Sequence, residues 1–216
     1  MPVSTSNQVT LEKSPFYISD PEALYRIRAM NSSIMVMVIV REPITRLLSA
    51  YSHYLSVSRV FGKDVDSFEK HYIPGGKISE HNVLKWGNYA DRMEYVYSVF
   101  SNNNHAFSFL SVVIRKQVLL LDGDKFVSDP LSQLRRVERF LGIRQYFSEE
   151  DVYFDKRKGF YCYKLRDNSD TKCMDGSKGR HHVEVDPDVK EKLLNFLKPY
   201  TNRFLELTGE KFDWDV

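Results

Sequence analysis

Residues Ile34-Met35-Val36-Met37-Val38-Ile39-Val40, followed by Arg41-Glu42-Pro43, decide the fold. The apolar run has the length of a strand, and an unbroken run of this kind suits a parallel strand covered on both faces. It is far too short to cross a bilayer. Arg41-Glu42-Pro43 breaks it, and a helical pattern follows from about Thr45 to Val57. A second run, Gln117 to Leu121, reads as another buried strand, closed by Asp122-Gly123-Asp124. Asp129-Pro130 then opens a helix to about Leu141, with Asp129 as N-cap and the proline at the first helical position. Leu131, Leu134, Val137, Phe140 and Leu141 mark its buried face. Asp186-Pro187 repeats that start signal for a last helix reaching about Thr208. Strands alternating with helices predict an α/β domain, a parallel sheet flanked by helices.

Composition bounds the rest. The 216 residues are 42% hydrophobic and 13% aromatic, enough for one substantial core, so a single domain over 1–216 is expected. A net charge of +2 is too small for general nucleic-acid affinity, but the charge is unevenly spread. Lys156 to His182 carries Lys156, Arg157, Lys158, Lys164, Arg166, Lys172, Lys178 and Arg180 against Asp167, Asp170 and Asp175. That stretch is net +5 and the remainder net −3. Such a segment is either a solvated basic loop or a surface that steers anions. The same segment holds both cysteines, Cys162 and Cys173, which read as buried thiols, a partial metal site or a disulfide. Zinc asks for four ligands and only His181 and His182 lie near, so no metal is expected. Asn31-Ser32-Ser33 is a glycosylation sequon. Met1 to Thr10 is polar, with neither a basic leader nor an apolar run, so no targeting segment and no membrane contact are expected.

Two constellations carry chemistry. Arg41 stands at the carboxyl end of a buried parallel strand, where open α/β sheets bind ligands, and its planar fork suits a phosphate. Ser49, two turns into the following helix, offers a hydroxyl from the same side. The plainer reading pairs Arg41 with a neighbouring acid. The second constellation is Gly176-Ser177-Lys178-Gly179-Arg180-His181-His182, where small residues let backbone amides approach an anion. It lacks Walker spacing, as does Tyr72-Ile73-Pro74-Gly75-Gly76-Lys77, which reads as a turn. The rings of Gly159-Phe160-Tyr161-Cys162 either stack on a base or belong to the core.

Taken together, these segments resemble a known family. Glu12-Lys13-Ser14-Pro15-Phe16-Tyr17 is similar to its E-K-[ST]-P-x-[YF] segment. Val40-Arg41-Glu42-Pro43-Ile44-Thr45-Arg46 with Ser49 and Tyr51 is similar to its V-R-[ED]-P-x-x-R-x-x-S-x-Y loop. Leu121 to Asp124, Asp129 to Gly142, Lys158 to Cys162, Cys173, and Ser177 to Arg180 with His182 follow in the family's order. So does Gly209 to Trp214. The chain resembles the heparan sulfate sulfotransferases, and among them the glucosaminyl 3-O type.

The resemblance implies a sulfotransferase fold related to P-loop nucleotide kinases, here missing its first strand and 5′-phosphosulfate loop. It implies 3′-phosphoadenosine 5′-phosphosulfate (PAPS) as co-substrate and a glucosamine 3-hydroxyl of heparan sulfate or heparin as acceptor. Arg41 and Ser49 would hold the 3′-phosphate, with Phe160 near the adenine and Lys178, Gly179, Arg180, His181 and His182 closing over the nucleotide. Lys13, His53, Lys178 and Arg180 would face the polysaccharide. Cys162 would pair with Cys173, Asn31 would match a glycosylation position, and the compartment would be the Golgi lumen. The family's carboxylate base lies upstream of the E-K-[ST]-P segment, so no catalytic residue is assigned, and weak or no turnover is expected of a truncated chain. The alternative is a non-catalytic module binding nucleotide and heparan sulfate. Three departures stand out: His53 for the usual glutamine, Val183 for proline, and 101–114 as an insertion.

Overall fold

The computed structural model describes residues 5, 8–100, 117–164, 171–173 and 182–214. Along the chain run α1 (Pro21–Met30), β1 (Val36–Val40), α2 (Pro43–Val60), α3 (Phe68–Tyr72), α4 (Glu80–Gly87) and α5 (Ala90–Phe100). There follow β2 (Val118–Asp122), α6 (Gly123–Ser128), α7 (Pro130–Leu141), β3 (Val152–Asp155), β4 (Phe160–Lys164), β5 (Thr171–Lys172) and α8 (Pro187–Thr208). The expected insertion 101–114 lies outside the described residues.

β1 and β2 pair in parallel, from Val36 opposite Val118 to Val40 opposite Asp122. Both strands start later than the apolar runs suggest. Ile34 spends its N–H on the Asn31 carbonyl at 3.2 Å, closing a turn. Gln117 turns its side-chain amide onto the Ser32 and Ile34 carbonyls at 2.7 and 2.8 Å. Val38, Val40, Val118 and Leu120 face a core shared with Leu24 of α1, Met93, Val96, Val99 and Phe100 of α5, and Phe204 of α8. The expectation that β1 is covered on both faces fails at Ile39, which is 60% exposed. The helices α6 and α7 pack along β2 instead, and Leu121 is buried.

A second core joins Ile44, Leu47 and Tyr51 of α2 to Phe68 and Tyr72 of α3, Val83 of α4, and Leu193 and Leu197 of α8. Tyr72 ends α3, and the turn expected there is a single 3-10 turn at Pro74–Gly76, with Gly75 at φ 57° and Gly76 at φ 79°, a conformation suited to glycine.

Local cap chemistry sets the helix starts. Asp20, Glu42, Asp129 and Asp186 each precede a proline at the first helical position and accept an N–H from the first turn. The helix α7 ends at Gly142 in the left-handed region. Its buried face differs from the apolar stripe read in the sequence. Leu131 is buried, but Leu134, Val137, Phe140 and Leu141 are half-buried, and Gln133 and Glu138 lie deeper. Glu138 is deep because its Oε1 accepts the N–H groups of Tyr146 and Phe147 at 2.6 and 2.9 Å, which holds the following loop over it. β3, β4 and β5 form a separate antiparallel sheet. Among the described residues no helix is long and apolar enough to cross a membrane.

Candidate functional site

The site grows from the end of β1. The strand delivers Arg41, and Glu42 caps α2, its Oε1 accepting from Ile44 N–H at 2.8 Å and its Oε2 from Thr45 N–H at 2.6 Å. Where β2 ends, Asp122 caps α6 and sets Asp124 against the β1 exit. Arg41 donates from Nε and Nη2 to Asp124 Oδ1, each at 2.8 Å. The plainer reading of Arg41, an ion pair with a neighbouring acid, is therefore met. The pair uses one edge of the fork, and Nη1 has no protein partner among the described residues. The Arg41 side chain stays 31% exposed, so the fork is both braced and accessible.

Backbone contacts crowd this corner. The Arg41 N–H donates to the Tyr89 hydroxyl at 3.4 Å. Burial raises the Tyr89 pKa to about 12, against the charge of Arg46, so the phenol is neutral. A Cβ on Gly123 would lie 2.8 Å from Arg41 Cγ and 2.9 Å from the Val40 carbonyl oxygen.

The sequence segments converge here in part. His182 is half-buried, and burial, then the charge of Arg41, lowers its pKa while Asp124 opposes. The exit of the basic segment thus lies within electrostatic reach of the Arg41–Asp124 pair. β4, which starts at the half-buried Phe160, packs against α6, the helix that carries Asp124. Ser49 is half-buried on α2. Lys178, Gly179, Arg180 and His181 lie outside the described residues. Lys13 and His53 are exposed, and no hydrogen bond or ion pair joins either to Arg41 among the described residues.

Cys162 and Cys173 form a disulfide that ties β4 to the residue after β5. Asp155 and the two cysteines bring ligand atoms within 4.8 Å of one another. The sulfurs are bonded to each other, and Asp155 Oδ1 accepts from Arg157 and Lys158 N–H groups, so the cluster is structural. Asn31 is exposed just after α1, its Oδ1 accepting from Ser33 N–H at 2.8 Å.

Arg46 escaped the candidate residues read from the sequence, although it stands in the motif around Arg41. Its guanidinium carbon lies 4.4 Å from the centroid of the Trp86 ring. The signal available was its spacing to Ser49, one helical turn on.

A corner built of a braced arginine, a close-approach glycine and a basic segment's exit is suited to a tetrahedral oxyanion. Comparison with known proteins identifies the family. The chain is 38% identical over 215 residues to heparan sulfate glucosamine 3-O-sulfotransferase 5 of Homo sapiens, covering 99% of this chain and 59% of that protein. It is 33% identical over 220 residues to heparan sulfate glucosamine 3-O-sulfotransferase 3B1 of Homo sapiens, covering 100% and 52%. The chain therefore spans little more than half the length of these relatives. A crystal structure of a sulfotransferase from Alicyclobacillus acidocaldarius superposes with a TM-score of 0.59 at 20% identity, over 92% of this chain and 64% of the other, and shares the fold. The model of the sulfotransferase domain matches residues 4–209, so the parallel strands, the Arg41 corner and the disulfide-tied sheet belong to a member of the sulfotransferase domain family.

Proposed function

We propose that this chain supplies the donor-nucleotide site of a heparan sulfate glucosamine 3-O-sulfotransferase. The observation that carries the reading is Arg41 at the carboxyl end of a parallel strand, braced by Asp124, with His182 from the basic segment within its electrostatic reach. The relatives' names supply the acceptor class.

The residues fit a bisphosphorylated nucleotide. The open edge of Arg41 and the hydroxyl of Ser49 hold the 3′-phosphate, and the absent side chain at Gly123 keeps Arg41 where it is. Phe160 lies beside the adenine. Lys178, Gly179, Arg180, His181 and His182 close over the nucleotide, and Lys13, His53, Lys178 and Arg180 face the sulfated sugar. PAPS supplies the sulfuryl group: the sugar oxygen bonds to sulfur, the bond from sulfur to the phosphate oxygen breaks, and the hydroxyl proton passes to a carboxylate base. No acid of this chain is assigned that base. Glu42 and Asp124, which flank Arg41 at the strand exit, are both engaged as acceptors. That observation favours a second reading, a non-catalytic module binding nucleotide and heparan sulfate. The disulfide and the exposed Asn31 suit the oxidising lumen of the secretory pathway, the Golgi in this reading.

Calorimetric titration with adenosine 3′,5′-bisphosphate (PAP), alongside a labelled-donor assay on heparan sulfate, tests the proposal. Saturable binding lost in Arg41→Ala supports the nucleotide site, and turnover separates the two readings. Absence of saturable binding by the unaltered chain sinks both.

A further inference from the structure

We propose that Arg46 is a second guanidinium of this site, and that Arg41 and Arg46 together grip one tetrahedral oxyanion ester, a phosphate or a sulfate. The inference deepens the functional reading and rests on it for the identity of the ligands. Arg46 stands in the first turns of α2, one helical turn before Ser49, so both side chains leave the same face of the helix. The Trp86 ring backs its guanidinium, with the guanidinium carbon 4.4 Å from the ring centroid, and limits where the fork can turn.

What the side chain lacks is an acid. Arg41 has Asp124, but no carboxylate lies within ion-pair distance of Arg46 among the described residues. Arg46 is half-buried, and burial is the main cause holding its pKa below the ordinary arginine value. Tyr89 and Tyr72 pull the other way and Arg41 adds to the lowering. Neither phenol is an anion at neutral pH, because burial raises both pKa values. Arg92 adds more positive charge. Its guanidinium is lowered in pKa by burial, with Arg46 contributing, and among the described residues it donates to the Ser19 hydroxyl and the Lys85 carbonyl, not to a carboxylate. Three guanidinium groups thus feel Tyr89 or one another, and the two carboxylates that also act on Tyr89, Asp124 and Glu42, are taken up by Arg41 and by the backbone N–H groups that open α2. A half-buried cation without a counterion is costly. An ester oxyanion placed between Arg41, Arg46 and Ser49 supplies that counterion, and the Trp86 stack spares Arg46 the entropy of finding its pose.

Two sources carry the same chemistry, the nucleotide 3′-phosphate and a sulfate on the polysaccharide. The test titrates the full chain, unaltered and as Arg46→Gln, with PAP, adenosine 5′-monophosphate and a heparin-derived oligosaccharide. If the nucleotide is the source, Arg46→Gln loses about tenfold or more in affinity for the bisphosphate and less than about twofold for the monophosphate. If the sugar is the source, the oligosaccharide weakens by about tenfold and the bisphosphate does not. Unchanged affinity for all three overturns the inference, as does an equal loss for both nucleotides with the oligosaccharide unaffected, which marks a purely structural arginine. Should Arg46→Gln fail to fold, Trp86 emission in a Trp214→Phe background decides. A change on saturation with either anion supports the assignment, and none overturns it. Unaltered chain that binds neither anion overturns this inference together with the functional reading, whereas normal binding matched by Arg46→Gln overturns this inference alone.

Discussion

Asp124 divides its carboxylate between the side chain of Arg41 and the backbone just beyond it. Oδ1 takes Nε and Nη2 at 2.8 Å, and Oδ2 takes the Glu42 N–H at 2.7 Å. One acid therefore sets both the direction of the arginine fork and the chain path from β1 into α2. In the proposed nucleotide site it is a positioning residue, acting on the ligand through Arg41.

Asp124→Asn preserves the shape while removing the charge and one acceptor. The expected outcome is a loss of about 1–3 kcal/mol in urea unfolding. Affinity for PAP should weaken by about tenfold, because Arg41 loses its brace rather than its charge. Calorimetry beside the unfolding curve checks both, and full affinity in a folded Asp124→Asn protein contradicts the positioning role.

Gly123→Ala tests the same corner sterically. The added Cβ would meet Arg41 Cγ at 2.8 Å, the Val40 carbonyl oxygen at 2.9 Å and Ile39 Cγ2 at 3.1 Å. The arginine methylene can swing aside, but the strand carbonyl cannot without disturbing the parallel ladder. Expected are a destabilisation of about 1–3 kcal/mol and weaker nucleotide binding from a displaced Arg41. Thermal melts and calorimetry read the two effects, and an unperturbed protein shows that the corner has slack.

How much of this was legible beforehand follows from the range of each interaction. Asp129-Pro130 and Asp186-Pro187 were readable because a cap is settled within four residues, and the strand exit at Arg41 because Glu42-Pro43 interrupts a plain apolar run. The exposure of Ile39 was not readable, since the covered face of a strand depends on helices packed from elsewhere in the chain. Nor was the depth of Glu138, whose amide partners stand eight and nine residues on and outside the helix. Arg46 shows the same limit: its motif spacing was visible, but the Trp86 ring that defines its environment comes from a different helix. The bracing of Arg41 by Asp124 bridges 83 positions, and only the parallel register of β1 with β2 brings them together.

The disulfide should matter unequally across the molecule. Cys162 and Cys173 are separated by 11 residues, and closing so short a loop contributes about 2–3 kcal/mol. β5 is only Thr171–Lys172, exposed and paired to β4 through Tyr163 and Lys164. Cys162→Ala with Cys173→Ala should therefore loosen the antiparallel sheet first and leave the β1–β2 core intact. Hydrogen exchange should rise in 152–164 and not in 36–40. Equal loss of protection in both sheets would show that the disulfide supports the whole fold.

His182 gives the site a pH signature with two opposite signs. Burial, then Arg41, holds its pKa below the usual histidine value against Asp124, the other charge facing it, so the folded ring is neutral near pH 7. A depressed histidine contributes stability above its unfolded pKa of about 6.5, and that contribution is lost as pH falls through the folded value. The unliganded protein should therefore weaken on acidification, and less so as His182→Gln. An oxyanion beside Arg41 reverses the local field, raises the bound-state pKa and makes binding take up a proton. His182 then makes bisphosphate affinity rise as pH falls from about 8 to about 6. The ligand's own phosphate protonation, with a pKa near about 6, opposes this but is common to both proteins. The ratio of unaltered to His182→Gln affinity isolates the imidazole. A ratio that climbs on acidification places His182 against the anion, and one independent of pH removes it from the site.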